Sequence, residues 1–182
     1  MSLWQPSHLS SSSNMALQGE QNLTEGNKAY AASFTQGHLA LPPSQKYLVL
    51  TCMDARIDPS AAFGIPLGAA HVIRNAGASA RDAFRSVVIS QQLLGTTEVL
   101  LVKHTGCGML TFDNETARGI VKKNKGEAAA KEVENLDFLT FPKLEDKVRE
   151  DVDWLRSKAV EQGINVSGWV YEVETGKVRK VV

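Results

Sequence analysis

Two cysteines in a chain of 182 residues are too few to staple a disulfide scaffold. In a reducing compartment such cysteines point to metal ligation or reactivity if they point to anything. No run of residues is long and apolar enough to span a bilayer. The N-terminus lacks the charged start and apolar core of a secretory signal, and residues 1–20 contain no Arg or Lys, which argues against a mitochondrial presequence. A cytoplasmic protein is expected. Charge of either sign is not in excess: 20 Lys and Arg balance 20 Asp and Glu. No global field therefore draws in nucleic acid or an anionic membrane, and neither is expected as a partner. The densest basic stretch, Lys122-Lys123-Asn124-Lys125, is short, is followed by Glu127, and reads as a solvated face.

What is present suits one globular domain: 43% apolar and 22% charged residues, in a length that can bury a sizeable core. Residues 1–20 are polar and carry the run Ser10-Ser11-Ser12-Ser13, so a flexible N-terminal tail is expected there, ahead of a single domain over 21–182. Leu23, Tyr30, Ala31 and Phe34 have helical spacing, and Gly37 and Pro42-Pro43 forbid continuation. Tyr47–Cys52 is a short apolar run of the kind found in buried parallel strands, and 71–74 is a second. Residues 82–94 read as a helix ended by Gly95, and Glu98–His104 as a third strand. Residues 113–135 read as helix in pieces. Leu144, Val148, Val152, Leu155 and Ala159 mark an amphipathic helix that ends near Gly163. A last core strand is expected over 164–173 and a short edge strand over 178–182. Strands alternating with helices give an α/β class with a mostly parallel central sheet flanked by helices.

In such sheets, sites form at the carboxyl ends of the strands. Cys52 ends the first strand; His104 and Cys107 end the third. Zinc favours thiolate and imidazole ligands at about 2.3 Å and 2.0–2.1 Å, and three protein ligands leave a fourth position open, as in catalytic sites. Gly106 and Gly108 let the backbone turn tightly enough for His104 and Cys107 to face one point. Asp54 lies two residues beyond Cys52, where it can face the same cleft, and Arg56 can engage its carboxylate in a bidentate pair and hold it ionised. Asp54 then has two uses: to orient a zinc-bound hydroxide, or to occupy the fourth position itself. Asp58-Pro59 reads as a helix cap and start, and His71 as a structural strand residue.

Cys52-x-Asp54-x-Arg56 followed by His104-x-x-Cys107 resembles the zinc signature of the β-class carbonic anhydrases, in that family's order and at similar separation. His71-Val72-Ile73-Arg74-Asn75-Ala76-Gly77 and the closing Gly168–Lys177 segment resemble two further segments of the family, so the likeness covers roughly residues 22 to 180. The wording is most similar to the compact branch, which also includes carbonyl sulfide hydrolase, with carbon disulfide hydrolases akin to it. The resemblance implies four parallel strands plus an antiparallel edge strand, and a Zn2+ cofactor on Cys52, His104 and Cys107. It also implies a homodimer or dimer of dimers in which the N-terminal helix packs on the partner. The implied reaction is hydration of CO2 to bicarbonate by zinc-bound hydroxide, with Asp54 and Arg56 as the catalytic pair. Many compact members carry an acidic residue where this chain has Gly106, which leaves COS or CS2 hydrolysis as the alternative. Two further alternatives are a zinc-stabilised dimer without turnover, and a metal-free redox pair of Cys52 and Cys107.

Overall fold

The structure, a computed structural model, describes residues 11–158, 160 and 162–182. The chain divides into two compact units, Met1–Leu39 and Ala40–Val182. Residues 1–10 of the expected tail, and Ala159 of the expected last helix, lie outside the described residues.

In the first unit, helix α1 runs Ser11–Ala32, well ahead of the apolar spacing that begins at Leu23. No proline interrupts this polar stretch, and side-chain pairs one turn apart support it. Gln18 Nε2 donates to Asn22 Oδ1 at 2.8 Å, and Lys28 pairs with Glu25 at 2.7 Å. Leu23, Tyr30 and Phe34 remain exposed. The Tyr30 and Phe34 rings lie against each other, centroids 5.4 Å apart.

In the second unit, five strands form one sheet in the order β2-β1-β3-β4-β5: β1 Tyr47–Cys52, β2 Ala70–Asn75, β3 Glu98–His104, β4 Asn165–Glu172 and β5 Lys177–Lys180. The first three pairings are parallel and β4–β5 is antiparallel, as expected. The remaining helices are α2 Pro59–Ala62, α3 Ala80–Gln92, α4 Asn114–Lys125, α5 Glu127–Glu132 and α6 Leu144–Arg156. Asp58 caps α2, accepting from the Ser60 and Ala61 amides, with Pro59 at the first position; both roles follow from the sequence. Among the described residues no helix is long and apolar enough to cross a membrane.

Strand side chains alternate, so each strand feeds two cores. Leu48 and Leu50 of β1, with Val99 and Leu101 of β3, pack under α3 and α6 against Val87, Val148, Val152 and Leu155. Val49 and Val102 face the other way, into a second cluster with Ile57, Met109, Phe141 and both cysteines. At Gly168 of β4, α6 packs hard against the sheet. A Cβ there would strike Val148 Cγ1 and stand 3.0 Å from Val152 Cγ2, so only glycine lets the helix seat.

Candidate metal centre

The chain leaves β1 for the edge strand β2, then crosses back to β3 on the opposite side of β1. The crevice between the carboxyl ends of β1 and β3 is thus the point where strand order reverses, the usual place for a site in an open α/β sheet. Cys52 closes β1 and His104 closes β3. A turn with Gly106 at φ 59° then carries the chain to Cys107, a left-handed position that glycine adopts without strain. All three side chains are buried. Their ligand atoms lie within 4.8 Å of one another, and both cysteines are free thiols.

The donor set fits a metal. His104 Nδ1 sits 2.8 Å from the Thr105 carbonyl; a carbonyl only accepts, so Nδ1 carries the proton and Nε2 offers the lone pair. Nε2 is buried and, among the described residues, has no hydrogen-bond partner, a cost few interiors tolerate without a ligand. The hydrogen bond from Cys107 brings the Cys52 thiol down to about 4 against the opposing effect of burial, with His104 and the backbone amides of Asp54 and Gly77 contributing. Giving that hydrogen bond, together with burial, drives Cys107 up. Burial disfavours the His104 cation, but the facing Cys52 thiolate outweighs it and the net shift is upward. One thiolate, one poised imidazole and one displaceable thiol proton are what a tetrahedral zinc site requires.

Beside them, Arg56 grips Asp54 at both oxygens: Nε to Oδ1 at 2.9 Å, Nη2 to Oδ2 at 2.7 Å, and the Arg56 amide to Oδ1 at 2.9 Å. This side-chain hydrogen bond is the main reason Asp54 lies far below the usual carboxylate range. Asp54 Oδ2 is 3.7 Å from His104 Nε2, so the carboxylate borders the point where the three ligands converge. Arg56 Nη2 also donates to the Gly106 carbonyl at 2.9 Å, tying the two loops together. A cleft of about 430 Å³ opens over the site, walled by Ala55, Ala76, Gly77 and Met109 among others.

Sequence reasoning brought these five residues together but missed the residues that hold them. Arg74 of β2 donates to the Cys52 carbonyl at 2.9 Å and the Asp54 carbonyl at 2.7 Å, bracing the loop from behind. The signal was the His71–Gly77 segment, which resembles one of the family's but gave Arg74 no role of its own. Asn75 clamps the Ser79 backbone, accepting from its amide at 2.7 Å and donating to its carbonyl at 2.9 Å. Thr105 donates to Glu174 Oε2 at 2.6 Å. A Cβ on Gly106 would stand 3.9 Å from Glu174 Oε1 and as close to the Arg56 guanidinium, so a carboxylate flanks Arg56 although residue 106 carries none. His71 is structural in its contacts: Nδ1 meets Ser90 Oγ at 2.7 Å, and it is not part of the Cys52, His104 and Cys107 group.

Residues 47–178 match the carbonic anhydrase family profile. Beta-carbonic anhydrase 1 of Mycobacterium tuberculosis is 38% identical over 157 residues, covering 85% of this chain and 93% of that protein. A carbon disulfide hydrolase of Acidithiobacillus thiooxidans is 32% identical over 179 residues, covering 85% of each. Among solved structures, a carbonic anhydrase from Glaciozyma antarctica matches with a TM-score of 0.86 at 45% identity, over 90% of this chain and 98% of that one. With the profile spanning β1 to β4 and the start of β5, and relatives of this identity covering most of its length, the chain belongs to the β-carbonic anhydrase family of enzymes.

Proposed function

We propose that this chain is a zinc enzyme of the cytoplasm that hydrates CO2 to bicarbonate, with Cys52, His104 and Cys107 holding the metal and Asp54, braced by Arg56, as the catalytic carboxylate. The observation that carries the reading is the buried, unpartnered His104 Nε2 converging with two free cysteines next to an ionised Asp54. Zinc held by such ligands makes coordinated water a nucleophile near neutral pH. Asp54 does the chain's own work. Its Oδ2 borders the ligand cluster, and a carboxylate kept ionised by Arg56 accepts a hydrogen bond from the attacking oxygen and orients it without taking its proton. Three hydrogen bonds to Arg56 also hold it back from the metal, which favours an open fourth position.

CO2 offers no charge and few contacts, so selection falls to the shape of the cleft, whose Ala55, Ala76 and Met109 suit a small apolar molecule. Two free cysteines that stay unpaired at such short range fit a reducing compartment. A homodimer fits the exposed Leu23, Tyr30 and Phe34 of the first unit. It also fits the apolar groove lined by Val49, Phe63, Leu100 and Trp169 in the second.

The similarity to a carbon disulfide hydrolase favours one second reading, hydrolysis of COS or CS2 to H2S and CO2 by the same residues. Zinc-loaded protein assayed on CO2 and COS side by side decides between them. Faster bicarbonate formation is the expected result, faster H2S release selects the second reading, and no turnover of either overturns both.

A further inference from the structure

A buried ion pair stands directly behind the metal ligands, and the proposed chemistry leaves it unused. Lys103 precedes His104 on β3, so its side chain leaves the opposite face of the strand. It is 1% exposed, among the largest fully buried side chains of the chain. Its Nζ donates to the carbonyls of Gly77 at 2.7 Å and Ala78 at 2.9 Å and pairs with Asp151 Oδ2 at 2.9 Å. Asp151 of α6 is itself fully buried, and its other oxygen faces Lys147 Nζ at 3.2 Å. A buried pair of this kind is weak evidence of added stability, because desolvation consumes most of the attraction. Its placement calls for another reason.

The two carbonyls supply one. Gly77 and Ala78 both lie in the left-handed region, at φ 70° and 52°. An alanine stays there only where its surroundings hold it. Gly77 also packs too closely on Met109 to carry a side chain. The same Gly77 turns its backbone N–H to the Cys52 sulfur and, with Ala76, walls the cleft. One side of this loop is gripped by the lysine while the other meets a metal ligand.

We propose that Lys103, seated by Asp151, is a positioning residue. It clamps the Gly77 and Ala78 carbonyls so that the Gly77 N–H stays aimed at Cys52 and the Ala76–Gly77 wall keeps its place. This rests on Cys52 being a metal ligand. Groups that orient metal ligands typically change metal affinity or activity by about 10–100-fold when removed, and Lys103 acts one step further out.

The test is NMR of the full chain loaded with the spin-active cadmium isotope. The metal should couple through hydrogen bonds to the amide protons of Gly77 and Asp54 by way of Cys52, and of Met109 by way of Cys107. In Lys103→Met, and in Lys103→Met with Asp151→Leu, which removes both buried charges, the Gly77 coupling should vanish while those of Asp54 and Met109 persist. Release of cadmium to a chelator should then quicken about tenfold, the lower end for such partners. A double variant with wild-type Gly77 coupling and release rate overturns the clamp and leaves the pair a scaffold element. If neither variant folds, Asp151→Asn is read instead: a weakened Gly77 coupling beside intact Asp54 and Met109 couplings supports the clamp, and an unchanged one overturns it. Cadmium bound but coupled to no Gly77 amide in the wild type overturns the clamp, whereas failure of the full chain to bind cadmium at all overturns the metal reading itself, a distinct outcome.

Discussion

Two clusters of buried polar side chains meet the carboxyl ends of β1 and β3, and they are built on opposite terms. In the cluster of Lys103, Asp151 and Lys147, each charge faces an opposite charge or a carbonyl. In the cluster of Cys52, His104 and Cys107, His104 Nε2 makes no hydrogen bond among the described residues, and one thiol donates to the other. Both cost desolvation, but only the second leaves unspent ligand capacity facing a cleft. Burial of polar groups alone therefore does not mark a site. A site is marked by burial without a matching charge: both Asp151 oxygens also make no hydrogen bond among the described residues, yet each lies within 3.2 Å of a lysine, whereas the nearest charge to His104 Nε2 is the Asp54 carboxylate at 3.7 Å.

The largest effect expected on that contrast comes from emptying the unmatched cluster. His104→Ala removes the imidazole from the ligand set, so zinc content by elemental analysis and CO2 hydration should both fall to background. Full zinc content in that variant would erase the distinction between the clusters. Breaking the matched cluster should strike folding instead. Asp151→Ala strands Lys103 in the interior and should lower stability by about 3–5 kcal/mol, read from urea unfolding of the metal-loaded protein. Asp54→Asn keeps the ligands and removes only the orienting carboxylate. It should lower kcat about 100-fold, the order expected when a reacting group loses its orientation, with zinc content unchanged.

The pH dependence sharpens the same comparison. Cys52 is already a thiolate at neutral pH, with its pKa near 4, whereas Cys107 holds its proton because its pKa is raised. Zinc must displace that proton, so affinity is strongest at high pH and weakens as pH falls. One proton displaced corresponds to about tenfold in affinity per pH unit, measurable by competition with a chelator across the neutral range. His104, with its pKa raised, adds to the slope once it protonates. The smallest effect belongs to a pair that is matched but exposed: Lys28→Ala, which removes the Glu25 partner on α1, should change stability by less than about 0.5 kcal/mol.

Much of the fold was legible because its core strands are unmixed. Tyr47–Cys52 and Glu98–His104 are apolar runs too short for helices, and the heptad-like spacing of α6 admits no other element. The grouping of Cys52, His104 and Cys107 was legible because cysteine is scarce and both copies fall at or just past strand ends. The early start of α1 at Ser11 was not, since a polar helix has no apolar stripe to announce it. Nor were the bonds from Arg74 to the Cys52 and Asp54 carbonyls, or from Lys103 to the Gly77 loop. Each joins a side chain to a carbonyl, a group every residue carries, across a distance in sequence that leaves no pattern.

By itself the sequence determined which side chains can take part: two thiols, one imidazole and a carboxylate with its arginine, each with a chemistry that belongs to the residue type. The tertiary structure alone decided their states. It set which cysteine is the thiolate, which histidine nitrogen is free, and why Asp54 stays turned to Arg56. Protonation and orientation depend on neighbours within a few ångströms in space. For this site those neighbours arrive on β2, β3 and the turn after β4, which only the folded sheet brings together.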